Sequence, residues 1–164
     1  MHETFATETA AAAANDYEAE RGKPMPNLTH GAIQANLIFE LKSAYGKSYR
    51  VASEVSLDTK PMSSTPGVVV YPPRNLDFVN EPAKRSDAPL LVIEILSASQ
   101  SLDEMVAKAN TYFNFGVKSC WVVLPSLQAV VVYERLGQYQ FFHLEETLRD
   151  PNLGIEMHLP NVFA

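Results

Sequence analysis

Two short apolar runs limit what this chain can fold into. "PLLVIEILS" (89–97) is almost continuously apolar, and "SCWVVL" (119–124) repeats the pattern. A half-exposed strand shows a polar residue at every second position. Runs without that alternation belong to central strands covered on both faces. Between them, Ser101 and Glu104 form an S-x-x-E capping box, which predicts a helix over 102–115. A sheet whose central strands are covered on both sides needs helices against it. The class is therefore α/β, a central mixed sheet flanked by one helix on each side.

The rest of the chain supplies the other elements. Ile33, Leu37 and Leu41 recur at helical spacing within 28–45, with Asn27 or Thr29 as N-cap and Gly46 as terminator. "YRVASEVSLD" (49–58) alternates like a strand, and "VVVY" (68–71) is a compact β-type run. Residues 72–89 are proline- and charge-rich, a loop by composition. A hairpin is predicted in "AVVVYERLGQYQFFHL", turning near Leu136-Gly137, and another over 17–26, turning at Arg21-Gly22. "LGIEMHLPNVF" reads as a short last strand and a docking tail. With 164 residues, one domain over 15–164 is expected, preceded by a mobile N-terminal segment, residues 1–14.

Function classes narrow by exclusion. No apolar run approaches the roughly 18 residues of a membrane-spanning helix, and no secretory pattern is visible, so a cytoplasmic location is expected. Cys120, the single cysteine, lies in an apolar run and reads as a buried structural thiol. A net charge of −6 argues against a protein coated in positive charge, although a local basic groove is compatible with it. A dimer is expected only because dimers are the commonest oligomers. No Walker loop, H-E-x-x-H, G-x-S-x-G or Rossmann glycine pattern is present.

Glu94 is the residue out of place, a carboxylate inside "LLVIEILS". Burying it costs several kcal/mol unless it is paired or bound to a metal. Two readings stand: a structural acid facing solvent or a lysine, and a site residue. Glu54 lies on the preceding predicted strand. Lys108 sits about 60° around its helix from the Met105, Ala109 and Tyr112 stripe, from where its stem can reach the sheet. A surface pair with Glu104 is the alternative for Lys108. His30 and Gln34 form an i, i+4 pair, and Tyr71, Tyr112 and Trp121 fall where periodicity predicts core.

"PLLVIEILSASQSLDEMVAKANTYFNFGVKSCWVVLP", running into "AVVVY", resembles the Uma family, a branch of the PD-(D/E)XK nuclease superfamily. "YEAERGKPMPNLTHGAIQANL" resembles that family's N-terminal hairpin and first helix, and "SSTPGVVVYP" its "PD" strand. The resemblance covers about residues 17–135. It implies a restriction-endonuclease-like core and Mg²⁺-dependent phosphodiester hydrolysis on DNA, with carboxylates holding the ion and a lysine screening developing negative charge. Glu94 matches the motif glutamate and Glu54 an acid of the preceding strand. The usual motif lysine position is Leu96, and Lys108 matches the lysine carried instead on the following helix. His30 matches a recurring first-helix histidine.

Gly67 stands where the family pattern has aspartate, a direct metal ligand. The resemblance therefore carries its own exception. Either a nearby acid, Asp58 or Glu54, takes over and the chain is a nuclease, or the site is degenerate and the fold serves binding or assembly.

Overall fold

The structure, a computed structural model, describes residues 25–164. The segment 1–14 and nearly all of the expected hairpin over 17–26 lie outside the described residues. Helix α1 spans Leu28–Tyr45, and Asn27 caps it by accepting from the His30 N–H through its side chain. Strands β1 (Arg50–Ser53), β2 (Val68–Tyr71) and β3 (Leu91–Ile95) follow. Helix α2 (Leu102–Phe115) begins at Ser101, whose hydroxyl accepts from the Glu104 N–H. It ends at Gly116, whose φ of 118° favours a residue without a β-carbon. Then come β4 (Ser119–Leu124), β5 (Ala129–Arg135), β6 (Gln138–His143), β7 (Thr147–Asp150), β8 (Ile155–His158) and a last turn of helix, α3 (Leu159–Val162).

The main sheet runs β1-β2-β3-β4-β5-β6, antiparallel throughout except for the parallel pair β3–β4. The intervening helix α2 makes that parallel return possible. Side-chain alternation divides the core in two. Val68, Val70, Ile93, Ile95, Trp121 and Val123 meet Ile33, Leu37 and Leu41 of α1 on one face. Val69, Val92, Cys120 and Val122 meet Met105, Ala109 and Tyr112 of α2 on the other. Each fully buried Leu, Ile or Val contributes about 1.5–3 kcal/mol, so the two faces, not helix propensity, fix the layers. The mixed sheet with a helix on each face is the architecture the apolar runs predict.

Two elements differ from expectation. The predicted strand 49–58 stops at Ser53, because Glu54 adopts φ 56° and turns the chain out of the sheet. The C-terminal region holds two strands where one was expected, since β7 and β8 pair as a separate hairpin. That hairpin is pinned by Asp150, which is buried and accepts from the Ser119 hydroxyl at 3.0 Å, Trp121 Nε1 at 2.8 Å and the Asn152 N–H at 3.0 Å. Among the described residues, no helix is long and apolar enough to cross a membrane.

Candidate active site

The alternation that sends Ile93 and Ile95 toward α1 sends Val92 and Glu94 toward α2. Glu94 is 3% exposed. Its Oε1 accepts a hydrogen bond from the Tyr112 hydroxyl and lies 3.7 Å from Lys108 Nζ. Lys108 and Tyr112 stand one helical turn apart, so a single face of α2 delivers a cation and a hydroxyl to one carboxylate oxygen. Lys108 thus turns inward to Glu94 instead of pairing along the surface with Glu104. Burial, then the charge of Glu94, pushes the Tyr112 phenol well above its ordinary range, so it remains a donor. The same two causes push the Cys120 thiol up, which fits the structural role expected of it.

A polar layer from the β1–β2 connection covers this pair. Ser64 Oγ lies 2.6 Å from Thr59 Oγ1, which is itself buried. These hydroxyls supply partners for polar groups that would otherwise be stranded in the core.

The strand register brings the other predicted positions into a row. Ser53 pairs with Val68 and Val68 with Ile93. One residue further, the Glu54 N–H donates to the Gly67 carbonyl at 3.2 Å, and Gly67 lies across from Glu94. Positions 54, 67 and 94 therefore form a line across the ends of three adjacent strands. A β-carbon at Gly67 would lie 3.5 Å from Gln34 Oε1 and from the Ile93 carbonyl, ordinary contacts, and its φ lies outside the left-handed region. Neither backbone nor space demands glycine here.

Asp58 and His30 stand elsewhere. Asp58 sits on the β1–β2 connection, 3.3 Å from Lys60, its side chain half exposed. His30 is buried in the first turn of α1 and lines a cavity of about 370 Å³ with Thr29, Leu96, Ser97, Gln100 and Ser126. That cavity opens beyond the carboxyl ends of β3 and β4, and Glu94 is not in its wall. Leu96, at the usual motif lysine position, is. Sequence reasoning missed Tyr112 and Gln34 as neighbours of the site. The available signal for Tyr112 was its place one turn after Lys108, since a buried phenol needs a partner.

Among the described residues, no group of three His, Cys, Asp or Glu side chains stands where it could hold a metal ion. Mg²⁺ binds through hard oxygen ligands in near-octahedral geometry. Here the row offers two carboxylates with a glycine between them, and one carboxylate already engages an ammonium and a phenol. The described residues do not fit a divalent ion as they stand.

An α/β sheet with this order, flanked by α1 and α2 and carrying an acid on β3 opposite a lysine on α2, defines a restriction-endonuclease-like fold. The sequence profile of the Uma2 family, described as "Putative restriction endonuclease", matches residues 15–160, and the chain belongs to that family. Among solved structures it is similar to one described as a "putative nuclease belonging to DUF820" from Anabaena variabilis. The TM-score is 0.73 at 23% identity, over 86% of this chain and 83% of that one, a similarity of fold. No protein of curated function matches the chain.

Proposed function

We propose that this chain is a cytoplasmic nuclease-fold protein that binds DNA while its divalent-metal-dependent hydrolysis is disabled at Gly67. The observation that carries this reading is the row Glu54–Gly67–Glu94, in which the central position lacks the carboxylate that the family pattern has there. Losing one of a few carboxylates removes both a ligand and a negative charge, and Mg²⁺ affinity depends on both. Lys108 then serves as the standing counter-ion of Glu94.

The test is Gly67→Asp, compared with the wild type by calorimetric titration with Mn²⁺ and by plasmid cleavage in Mg²⁺ or Mn²⁺. The wild type is expected to bind no Mn²⁺ at millimolar concentration and to leave plasmid intact. The variant is expected to gain both activities. Wild-type cleavage equal to that of the variant overturns the proposal, as does a folded variant that still binds no metal.

The Lys108–Glu94 contact favours a second reading. In it Glu94 and Glu54 suffice for Mg²⁺, and Lys108 screens charge on the scissile phosphate. Cleavage of plasmid by the wild type selects this reading.

A further inference from the structure

The two edges of the main sheet are not alike. β1 is four residues long and begins with Arg50. β6 is six residues, "QYQFFH", with no Lys, Arg, Asp, Glu, Pro or Gly, and no strand lies beyond it among the described residues. Edge strands in monomers are usually kept solitary by short length, charge, proline or a bulge, because their free N–H and C=O groups invite another strand. The single irregularity of the β5–β6 ladder lies at Tyr133/Arg135, toward the hairpin tip, and leaves the outer edge of β6 regular.

Apolar side chains gather along the same edge. Tyr139 and Phe141, 60% and 46% exposed, project on one face, in register with Tyr133 and Val131. Leu136 at the tip of the hairpin and Leu144 at its exit are also exposed. Arg135 stands near the tip and Glu145 near the exit. Both are exposed, and neither joins an ion pair among the described residues.

We propose that β6 pairs antiparallel with β6 of a second copy of this chain, joining two six-stranded sheets into one continuous sheet. Antiparallel pairing about a two-fold axis sets the tip of one hairpin against the exit of the other. Leu136 and Arg135 of one copy thereby meet Leu144 and Glu145 of its mate, twice over. The edge is complementary to itself in both polarity and charge. Like-facing residues must pair across such an axis. The register that centres the strand puts Gln140 opposite itself and Tyr139 opposite Phe141, an aromatic cross-strand pair on each side. A nucleic acid strand stacking on these aromatics would face the carboxylates of Glu134, Glu145 and Glu146, which repel phosphates.

Sedimentation velocity of the full chain at tens of micromolar is expected to show a species of twice the 18.2 kDa chain mass. Gln140→Cys is expected to form a disulfide-linked dimer under mild oxidation, since the native Cys120 is buried and does not compete. Phe141→Lys removes an aromatic and places a charge on the edge, and is expected to weaken the dimer about 100-fold. A circular dichroism melt confirms that the lysine variant is folded; should it not fold, the cysteine cross-link decides. A wild-type monomer overturns the proposal, and so does a Gln140→Cys protein that fails to cross-link. A folded Phe141→Lys dimer of unchanged affinity does the same.

Discussion

Lys108→Met tests whether the Glu94 pair is an interior interaction or a geometric coincidence. Methionine keeps most of the lysine stem and removes only the charge. Two unit charges 3.7 Å apart attract by about 4 kcal/mol at an effective dielectric near 20. The loss is smaller than this, because Lys108 is 24% exposed and no longer has to be desolvated in the variant. Glu94, only 4% exposed by side chain, has no such relief and keeps the Tyr112 hydroxyl as its remaining partner. Removing one member of a buried pair typically costs about 3–5 kcal/mol, and the partial exposure of Lys108 puts the expectation near about 3 kcal/mol. Urea unfolding at pH 7 measures it. Glu94→Gln in the Lys108→Met background is expected to recover much of the loss, with a coupling of at least about 1 kcal/mol in the double-mutant cycle. A single variant within about 0.5 kcal/mol of wild type refutes the reasoning, as does a strictly additive cycle.

Asp150→Ala strands the Trp121 N–H and the Ser119 hydroxyl in the core and is expected to destabilise by about 3 kcal/mol. Unfolding followed by the emission of Trp121, the only tryptophan, reads this directly, and a loss under about 1 kcal/mol counts against it. Tyr71 is pushed up to about 12, by burial first and then by the charge of Asp87. Because its folded value is raised, the stability from keeping it neutral is full below the unfolded value of about 10 and is lost as pH rises toward about 12. Unfolding midpoints of wild type and Tyr71→Phe should keep a constant offset below pH 10 and converge above it. A constant offset throughout refutes the prediction.

What the sequence made legible follows from where each signal is stored. The strands around Glu94 and the N-caps of α1 and α2 are local, and they were readable from runs, spacing and the residues Asn27 and Ser101. The overlong strand 49–58 failed because alternation continues past Ser53 while the backbone does not. Nothing in "SEVS" announces that Glu54 takes a positive φ. β7 went unseen because "TLRD" is short and buries an aspartate, the reverse of the usual code. Only the unmet need of a buried Trp121 N–H for an acceptor pointed to it. Lys108 was ambiguous because helical spacing offers Glu104 as a surface partner, and only the packing of the helix on the sheet brings Glu94 within reach.

The row Glu54–Gly67–Glu94 is of a different kind, since register between strands is not written in any one of them. Each position could be named singly, but their alignment depends on Ser53 meeting Val68 and Val68 meeting Ile93. That alignment also sharpens the test at Gly67. The β-carbon of Gly67→Asp meets only ordinary contacts, so packing does not oppose the substitution. The new carboxylate would nevertheless start from a buried position beside Gln34 of α1, where a charge without a cation or a donor is costly. Metal-free Gly67→Asp should therefore unfold at lower urea than the wild type, and Mn²⁺ should restore it in proportion to binding. Stabilisation of the variant by Mn²⁺, with none for the wild type, is the outcome that a missing ligand requires. A variant as stable as the wild type and indifferent to Mn²⁺ would mean that the side chain at 67 points away from Glu94 and that the row is one of backbone only.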